Sequence, residues 1–353
     1  MKTSSKELTY EALSWIGPNK IKLINKPFST VCDGELLVKV YAASICGSDL
    51  RIYRNGHDRV SSGAIIGHEI CGIVEKVGSE SSKFKIGDIL AIGADVPCES
   101  CKYCKKGRPN NCETHIAIGH QVAGGFAEYI HLDAMTVKLG PVVKVSGKKD
   151  FALYALAEPL ACCINGFYQL GDVSNLTVAI YGAGPIGIML SCLARSFGAN
   201  RVVFLDVNER RLRLVKRQGF ADETIKFDLT TRNFSEEFDI IFTACSSEAA
   251  QMDALHKIAK GGKINFFGGL PDAKKFLNIN TNLIHYKEII VTGSHGSTPK
   301  QHQLAVDLID SGKIDLSPLL TKSFALKDYQ NAYELAASGE ALKVIFRPDL
   351  GGN

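Results

Sequence analysis

The sequence predicts two joined architectures: a mainly β unit in the first part of the chain, then an α/β unit built on a parallel sheet. Three observations carry this. From Lys20 to about Val145, short β-branched runs such as Leu36-Leu37-Val38-Lys39-Val40 and Ile70-Cys71-Gly72-Ile73-Val74 are separated by glycine. After Phe151 helical and strand patterns alternate. At Gly182 a glycine-rich turn joins a β-branched strand to a helix. A length of 353 residues suits two domains, each with a core of its own.

Taken in order, the second unit opens with an apolar helix over 155–170. A buried strand follows at 178–181, then a helix from Pro185 and a strand at 201–205. Further strands read at 239–243, 262–267 and 288–292, giving five, which is enough for a dinucleotide fold. The tail from Gln301 shows amphipathic helical stretches at 304–309 and 329–337 and a strand at 341–346, expected to fold back onto the first unit. No repeat or low-complexity linker interrupts the chain.

Composition narrows the function. The chain has 41 basic and 37 acidic residues, a net charge of +4, scattered rather than massed, which argues against nucleic-acid and membrane-surface partners and for a small molecule. Met1 to Tyr10 is polar, and the longest apolar run, 178–194, is broken by glycines, so neither export nor a membrane span is expected. Eleven cysteines is an odd number for a disulfide framework, and four of them fall within fifteen residues, which points to metal and a reducing, cytoplasmic compartment.

Gly182-Ala183-Gly184-Pro185-Ile186-Gly187 follows directly on Val178-Ala179-Ile180-Tyr181. Gly182 permits a tight turn, Gly184 lets a pyrophosphate approach the backbone, and Gly187 lets the helix pack on the strand with its first amides facing the anion. Pro185 fits a first helical position, where amides are unpaired anyway. Asp206, nineteen residues after Gly187, is placed to accept from a ribose diol and repel a 2′-phosphate, favouring NAD over NADP, although Arg210 or Arg211 could reach a phosphate. Thr243, Gly268, Gly269, Leu270, Gly293, Ser294 and His295 follow later strands, where open sheets present loops to the nicotinamide side of the cofactor.

Cys98, Cys101, Cys104 and Cys112, spaced C-x2-C-x2-C-x7-C in a stretch rich in lysine, glycine and proline with no apolar core of its own, fit a closed, structural zinc. A zinc knuckle gripping nucleic acid through Lys102, Lys105, Lys106 and Arg108, or an iron–sulfur ligand set, are the competing readings. A second, dispersed set comprises Cys46, His68, Glu69 and Glu158. One thiolate, one imidazole and one or two carboxylates could hold zinc with a position left open, as catalysis requires, although the dispersed spacing alone does not show it. Taken singly, a residue such as His68 is more often a satisfied core histidine and one such as Cys46 an inert buried thiol.

Five stretches stand in order: Cys46-Gly47-Ser48-Asp49, Gly67-His68-Glu69, the four-cysteine lobe, Gly124-Gly125-Phe126-Ala127-Glu128-Tyr129 and the glycine turn at 182–187. In this the chain resembles the zinc-containing medium-chain dehydrogenases from about Leu36 to Phe346. The resemblance implies a GroES-like barrel catalytic domain over 1–155, with its structural zinc lobe at about 95–115. A Rossmann NAD-binding domain over 156–297 and a segment over 298–353 that completes the first domain follow, with the active site in the cleft between them. It also implies a homo-oligomer, dimer or tetramer, with Cys46 and His68 as zinc ligands and Glu69 and Glu158 as alternates. Because glutamate stands in Ala157-Glu158-Pro159-Leu160 where simple alcohol dehydrogenases place cysteine, the chain looks most like the polyol branch, that is, sorbitol, galactitol-phosphate and arabitol-phosphate dehydrogenases.

The implied reaction moves a hydride between a secondary alcohol and NAD, with Ser48, two residues past Cys46, relaying the alcohol proton. A turn-capping hydroxyl is the alternative role for Ser48. Arg51, Tyr53, His57, Arg59, His120 and Phe126 are the candidate substrate contacts, and their cationic character suits a polyol phosphate. A threonine dehydrogenase is the second reading. A non-catalytic zinc-binding scaffold is the third, which the joint presence of Cys46, Ser48, His68 and Glu158 opposes.

Overall fold

The computed structural model describes residues 8–78, 83–228, 236–271 and 275–351; most of the polar stretch at Met1 to Tyr10 lies outside it. The chain divides into two compact units. One comprises the chain up to Ala161, Ser297–Gly312 and the part from Leu316 onward; the other comprises Cys162–Gly296 and Lys313–Asp315.

In the first unit the strand Leu36–Ser44 is buried except at Lys39 and Tyr41, which are half-buried, as its mostly apolar sequence suits a central strand. The strand Glu69–Val77 pairs antiparallel on one side, and Lys343–Phe346 antiparallel at its end. Ser44 is thus the register partner of both Glu69 and Ile345, which brings two charged residues 274 positions apart into one neighbourhood. The sheet extends through Ile89–Ile92 and Val142–Lys144 in one direction and Leu320–Phe324 in the other. Leu36, Val38, Ile70, Phe126 and Phe346 are among the residues that fill the core beneath it.

The second unit is a sheet of six parallel strands in the order Glu223–Lys226, Arg201–Asp206, Thr177–Tyr181, Phe238–Thr243, Ile258–Phe266 and Ile290–Gly293. The sequence predicts five. The sixth, Glu-Thr-Ile-Lys, is a short edge strand without an apolar run, so no hydrophobic signal marks it. The last strand starts at Ile290 rather than Glu288, because Glu288 is left-handed (φ +53°) at the end of the preceding helix. The expected helix over 155–170 is two, Phe151–Ala155 and Ala157–Leu170; the first is capped by Asp150, whose carboxylate accepts from the Ala152 amide at 2.8 Å. The stretch Phe151–Leu170 is long and apolar enough to cross a membrane, but its most apolar window is 78% buried within the protein, as in a core helix.

His302, on the helix Pro299–Asp310, is fully buried, neither ring nitrogen has a hydrogen-bond partner among the described residues, and its ring lies against Gly93. Burial pushes its pKa down to about 4. Because the folded pKa lies below the unfolded one, near 6.5, the unfolded chain binds the extra proton first. Stability at this site therefore falls as pH drops from about 6.5 toward about 4. His302→Leu is expected to raise stability by about 1–2 kcal/mol at neutral pH and to flatten that slope, as measured by urea denaturation across pH.

Candidate active site

Cys46 stands at the N-cap of the helix Gly47–Asn55, and its amide donates to Asp49 Oδ2 at 2.8 Å. His68 ends the turn before the strand Glu69–Val77. That turn is fixed by backbone packing. Gly67 has φ +93°, and the Phe126 ring fills the place of its missing Cβ; a Cβ on Gly124 would lie 2.2 Å from Gly67 O. The Gly124 to Phe126 stretch therefore runs along 65–67, its amides donating to Ile65, Ile66 and Gly67 carbonyls. One ligand atom each of Cys46, His68 and Glu69 come within 4.8 Å of one another, a set that could hold a metal ion.

The imidazole is oriented from behind. Its Nδ1 lies 3.4 Å from Asp49 Oδ1, which directs Nε2 forward, 3.4 Å from Ser48 Oγ. Burial disfavours a charged His68, yet Asp49 and Cys46 hold its pKa well above the usual imidazole range. Both carboxylate oxygens of buried Glu69 accept from Lys343 Nζ at 2.6 Å. Burial works against the lysine charge and Glu69 outweighs it, so the ammonium persists. Glu158 lies outside the 4.8 Å set but within its field. Its pKa is pushed up to about 7, chiefly by burial, with His68 and Lys343 pulling it down and Glu69 and Asp95 pushing it up. Such a carboxyl gains most from a nearby cation.

The sulfurs of Cys98, Cys101, Cys104 and Cys112 likewise lie within 4.8 Å of one another, with Cys101 Sγ 3.5 Å from Cys104 Sγ and 4.0 Å from Cys112 Sγ. None is in a disulfide. In the second unit the glycine turn leaves the strand Thr177–Tyr181 where the strand order reverses toward Phe238–Thr243. A Cβ on Gly187 would lie 2.0 Å from Gly182 O, so only glycine allows this helix-to-strand approach. Asp206 Oδ2 accepts from the Ala183 amide and Oδ1 from the Asn208 amide, both at 2.7 Å, locking the acid to the turn. Arg211 comes within 4.0 Å of the place a Gly184 Cβ would take.

Residues 32–141 match the family described as alcohol dehydrogenase GroES-like domain, and residues 185–311 the one described as zinc-binding dehydrogenase. An L-threonine 3-dehydrogenase of Bacillus subtilis strain 168 is 31% identical over 340 residues, covering 92% of this chain and 94% of that protein. This chain belongs to the zinc-dependent medium-chain dehydrogenase family. The dehydrogenase is also similar to a solved structure described as a zinc-binding dehydrogenase of Sinorhizobium meliloti 1021 bound to NADP (TM-score 0.89, 27% identity, covering 97% of this chain and 100% of that one). Another similar structure is L-idonate 5-dehydrogenase of Escherichia coli K-12 MG1655 (TM-score 0.85, 26% identity, covering 96% and 98%).

Several expected contacts of the dehydrogenase stand elsewhere. Phe126 is completely buried against Gly67 and Phe346, so it is core rather than a substrate contact. Tyr53 packs against Tyr333, the ring centroids 4.9 Å apart and the planes tilted by 52°, at the edge of the core. Arg51 is exposed, and Arg59 is engaged by His115 at 2.8 Å, which in turn meets Asp95 at 2.7 Å, so these arginines do not gather into an anion site. His57 and His120 do come together, 5.3 Å between ring centroids, and the His120 ring is 5.9 Å from that of His68.

On the cofactor side, Thr243 is buried, Gly268 packs on the Cys245 backbone, Leu270 and Pro185 are half-buried, and Ile186 follows on the same helix. Ser294 Oγ donates to Asn265 Oδ1 at 3.1 Å. The carbonyls of His295 and Gly296 accept from Asn165 Nδ2 at 3.2 and 3.0 Å. Sequence reasoning missed Asp49, Lys343 and Asn165. The Asp49 signal was present in its position three residues past Cys46, a capping spacing; the other two leave no local trace.

Proposed function

We propose that this dehydrogenase oxidises a secondary alcohol of a small polyol to the ketone with NAD⁺ as hydride acceptor. The observation that carries the reading is the convergence of Cys46, His68 and Glu69 within 4.8 Å, with Glu158 beside them in a buried field. Cys46, His68 and Glu158 are read as the zinc ligands, Glu69 being engaged by Lys343, and Cys98, Cys101, Cys104 and Cys112 as the structural zinc site. Zinc, when bound, supplies a Lewis acid that brings a hydroxyl pKa from about 16 toward about 7. Asp49 Oδ1, 3.4 Å from His68 Nδ1, is placed to favour the tautomer that offers Nε2, and Ser48, beside that nitrogen, accepts a hydrogen bond from the alcohol O–H and relays its proton to solvent. Gly182, Gly184 and Gly187 seat the pyrophosphate, and Asp206 accepts from the ribose diol, which supports NAD over the NADP found in the Sinorhizobium relative. With the arginines engaged or outward, a free polyol fits better than a phosphorylated one.

The second reading, oxidation of threonine at its secondary alcohol, is favoured by the 31% identity to the Bacillus subtilis protein. Among the described residues the strand Ile290–Gly293 is the last of its sheet, and this edge, with Tyr286 and Ile290 exposed, supports the expectation of a homo-oligomer. The test is NADH formation by the purified protein with five- and six-carbon polyols, their phosphates and threonine, with NAD⁺ or NADP⁺, with and without chelator. Chelator-sensitive turnover of a free polyol is the expected outcome. Turnover of threonine alone moves the assignment to the second reading, and activity indifferent to zinc removal sinks the metal mechanism.

A further inference from the structure

His120 is held beside His68 by a close approach of backbones. Gly119 has φ +78°, and a Cβ there would lie 2.9 Å from Gly67 O, directly before His68. The loop is closed on its other side by the Gly119 amide donating to Val122 O at 2.8 Å and the His120 amide to Ala117 O at 3.2 Å. A side chain so mounted has little freedom to turn away from the His68 ring 5.9 Å off. The mounting is specific to this position, since any residue but glycine at 119 would push the loop outward.

The hydrogen bonds around the two outer imidazoles fix what each presents. His120 Nδ1 faces the Ile118 carbonyl at 3.5 Å, and a carbonyl only accepts, so that nitrogen carries the proton and Nε2 is left as an acceptor. His57 Nδ1 accepts from the Arg59 amide at 3.1 Å, so in its neutral ring the proton is on Nε2, which is left as a donor. Neither Nε2 has a partner among the described residues, and neither is sealed from a ligand. The rings meet edge to face, 5.3 Å between centroids, and the His120 ring is 5.9 Å from that of His68, so a ring offering an acceptor and a ring offering a donor adjoin one another, the first of them beside His68.

We infer that His120, paired with His57, determines specificity by binding a hydroxyl on the carbon adjoining the one oxidised. That hydroxyl donates to His120 Nε2 and accepts from His57 Nε2–H. A hydroxyl satisfies both partners, an ammonium group only the acceptor, and a methyl group neither. The enzyme therefore selects 1,2-diols over 1,2-amino alcohols and over simple secondary alcohols. This rests on the dehydrogenase reading above and names the substrate class of its site.

The test compares butane-2,3-diol, 3-aminobutan-2-ol and butan-2-ol, which share one carbon skeleton, at pH 8, where imidazoles of ordinary pKa are neutral. For the wild type the diol is expected to have the highest kcat/KM. The ratio of diol to butan-2-ol is expected to fall by about tenfold or more in His120→Phe and to recover in part in His120→Asn, which restores an acceptor. Zinc content measured in parallel separates this from damage at His68. Calorimetric binding of the diol and butan-2-ol to zinc-loaded protein with NADH gives a second readout. A diol advantage that His120→Phe abolishes in binding supports the subsite even if no alcohol is turned over, an outcome that would overturn the dehydrogenase reading alone. An unchanged ratio in His120→Phe, a wild type that prefers the amino alcohol, or equal binding of diol and butan-2-ol overturns the inference.

Discussion

Cys46→Ala is expected to lower turnover by about three orders of magnitude while leaving the fold intact. Cys46 is half-buried at the start of the helix Gly47–Asn55, and the capping contact there runs from its backbone amide to Asp49, which alanine keeps. What is lost is the thiolate, and with it a cation whose Lewis acidity is worth several kcal/mol of barrier, about 4 kcal/mol for a thousandfold. The measurements are steady-state kcat, zinc per chain and circular dichroism. One of two zinc equivalents should disappear with an unchanged spectrum. Cys98→Ser should instead remove the other equivalent and lower the melting temperature, because that lobe has no apolar core to hold it. Wild-type turnover by Cys46→Ala would exclude the proposed metal centre.

Glu69→Gln is expected to cost about 3–5 kcal/mol of stability, more than any other single change at the site. Glu69 is completely buried and Lys343 only 5% exposed, and the ammonium bridges both carboxylate oxygens at 2.6 Å. Removing the carboxylate's charge leaves a buried cation without its counterion, and that penalty far exceeds the worth of an exposed pair. Removing both charges should largely undo the damage, so Glu69→Gln combined with Lys343→Met is expected to lie within about 1–2 kcal/mol of wild type. Urea denaturation of the two variants gives the comparison. If Glu69→Gln alone were neutral, Lys343 would not be holding Glu69, and Glu69 rather than Glu158 would become the better candidate ligand.

How much of this was legible in the sequence depends on the range of the interaction. The glycine turn at 182–187 is a local device: strand, turn and helix are contiguous, and each glycine answers a steric demand made within a few residues. The four-cysteine lobe is local as well, since fifteen residues contain all its sulfurs. For the same reason the short polar strand Glu223–Lys226 was missed, because strand pairing and not hydrophobic pattern defines it. Phe126 was misassigned because an aromatic residue in a glycine-rich stretch signals neither the ligand nor the core until the strand opposite is known.

By itself, then, the sequence determined the two architectures, the nucleotide turn and the cysteine cluster, each encoded in short spacings that physical chemistry reads directly. Only the tertiary structure showed that Glu69 is engaged by Lys343. Ser44 pairs with Glu69 on one strand and Ile345 on another, and this register delivers Lys343 across 274 positions to neutralise Glu69. It likewise decided that His57 meets His120, which lies beside His68, while Arg59 turns to His115. A charge pair or an imidazole contact across such separations leaves no periodicity in the chain. It exists only once the sheets have closed and burial has made every unpaired polar group costly.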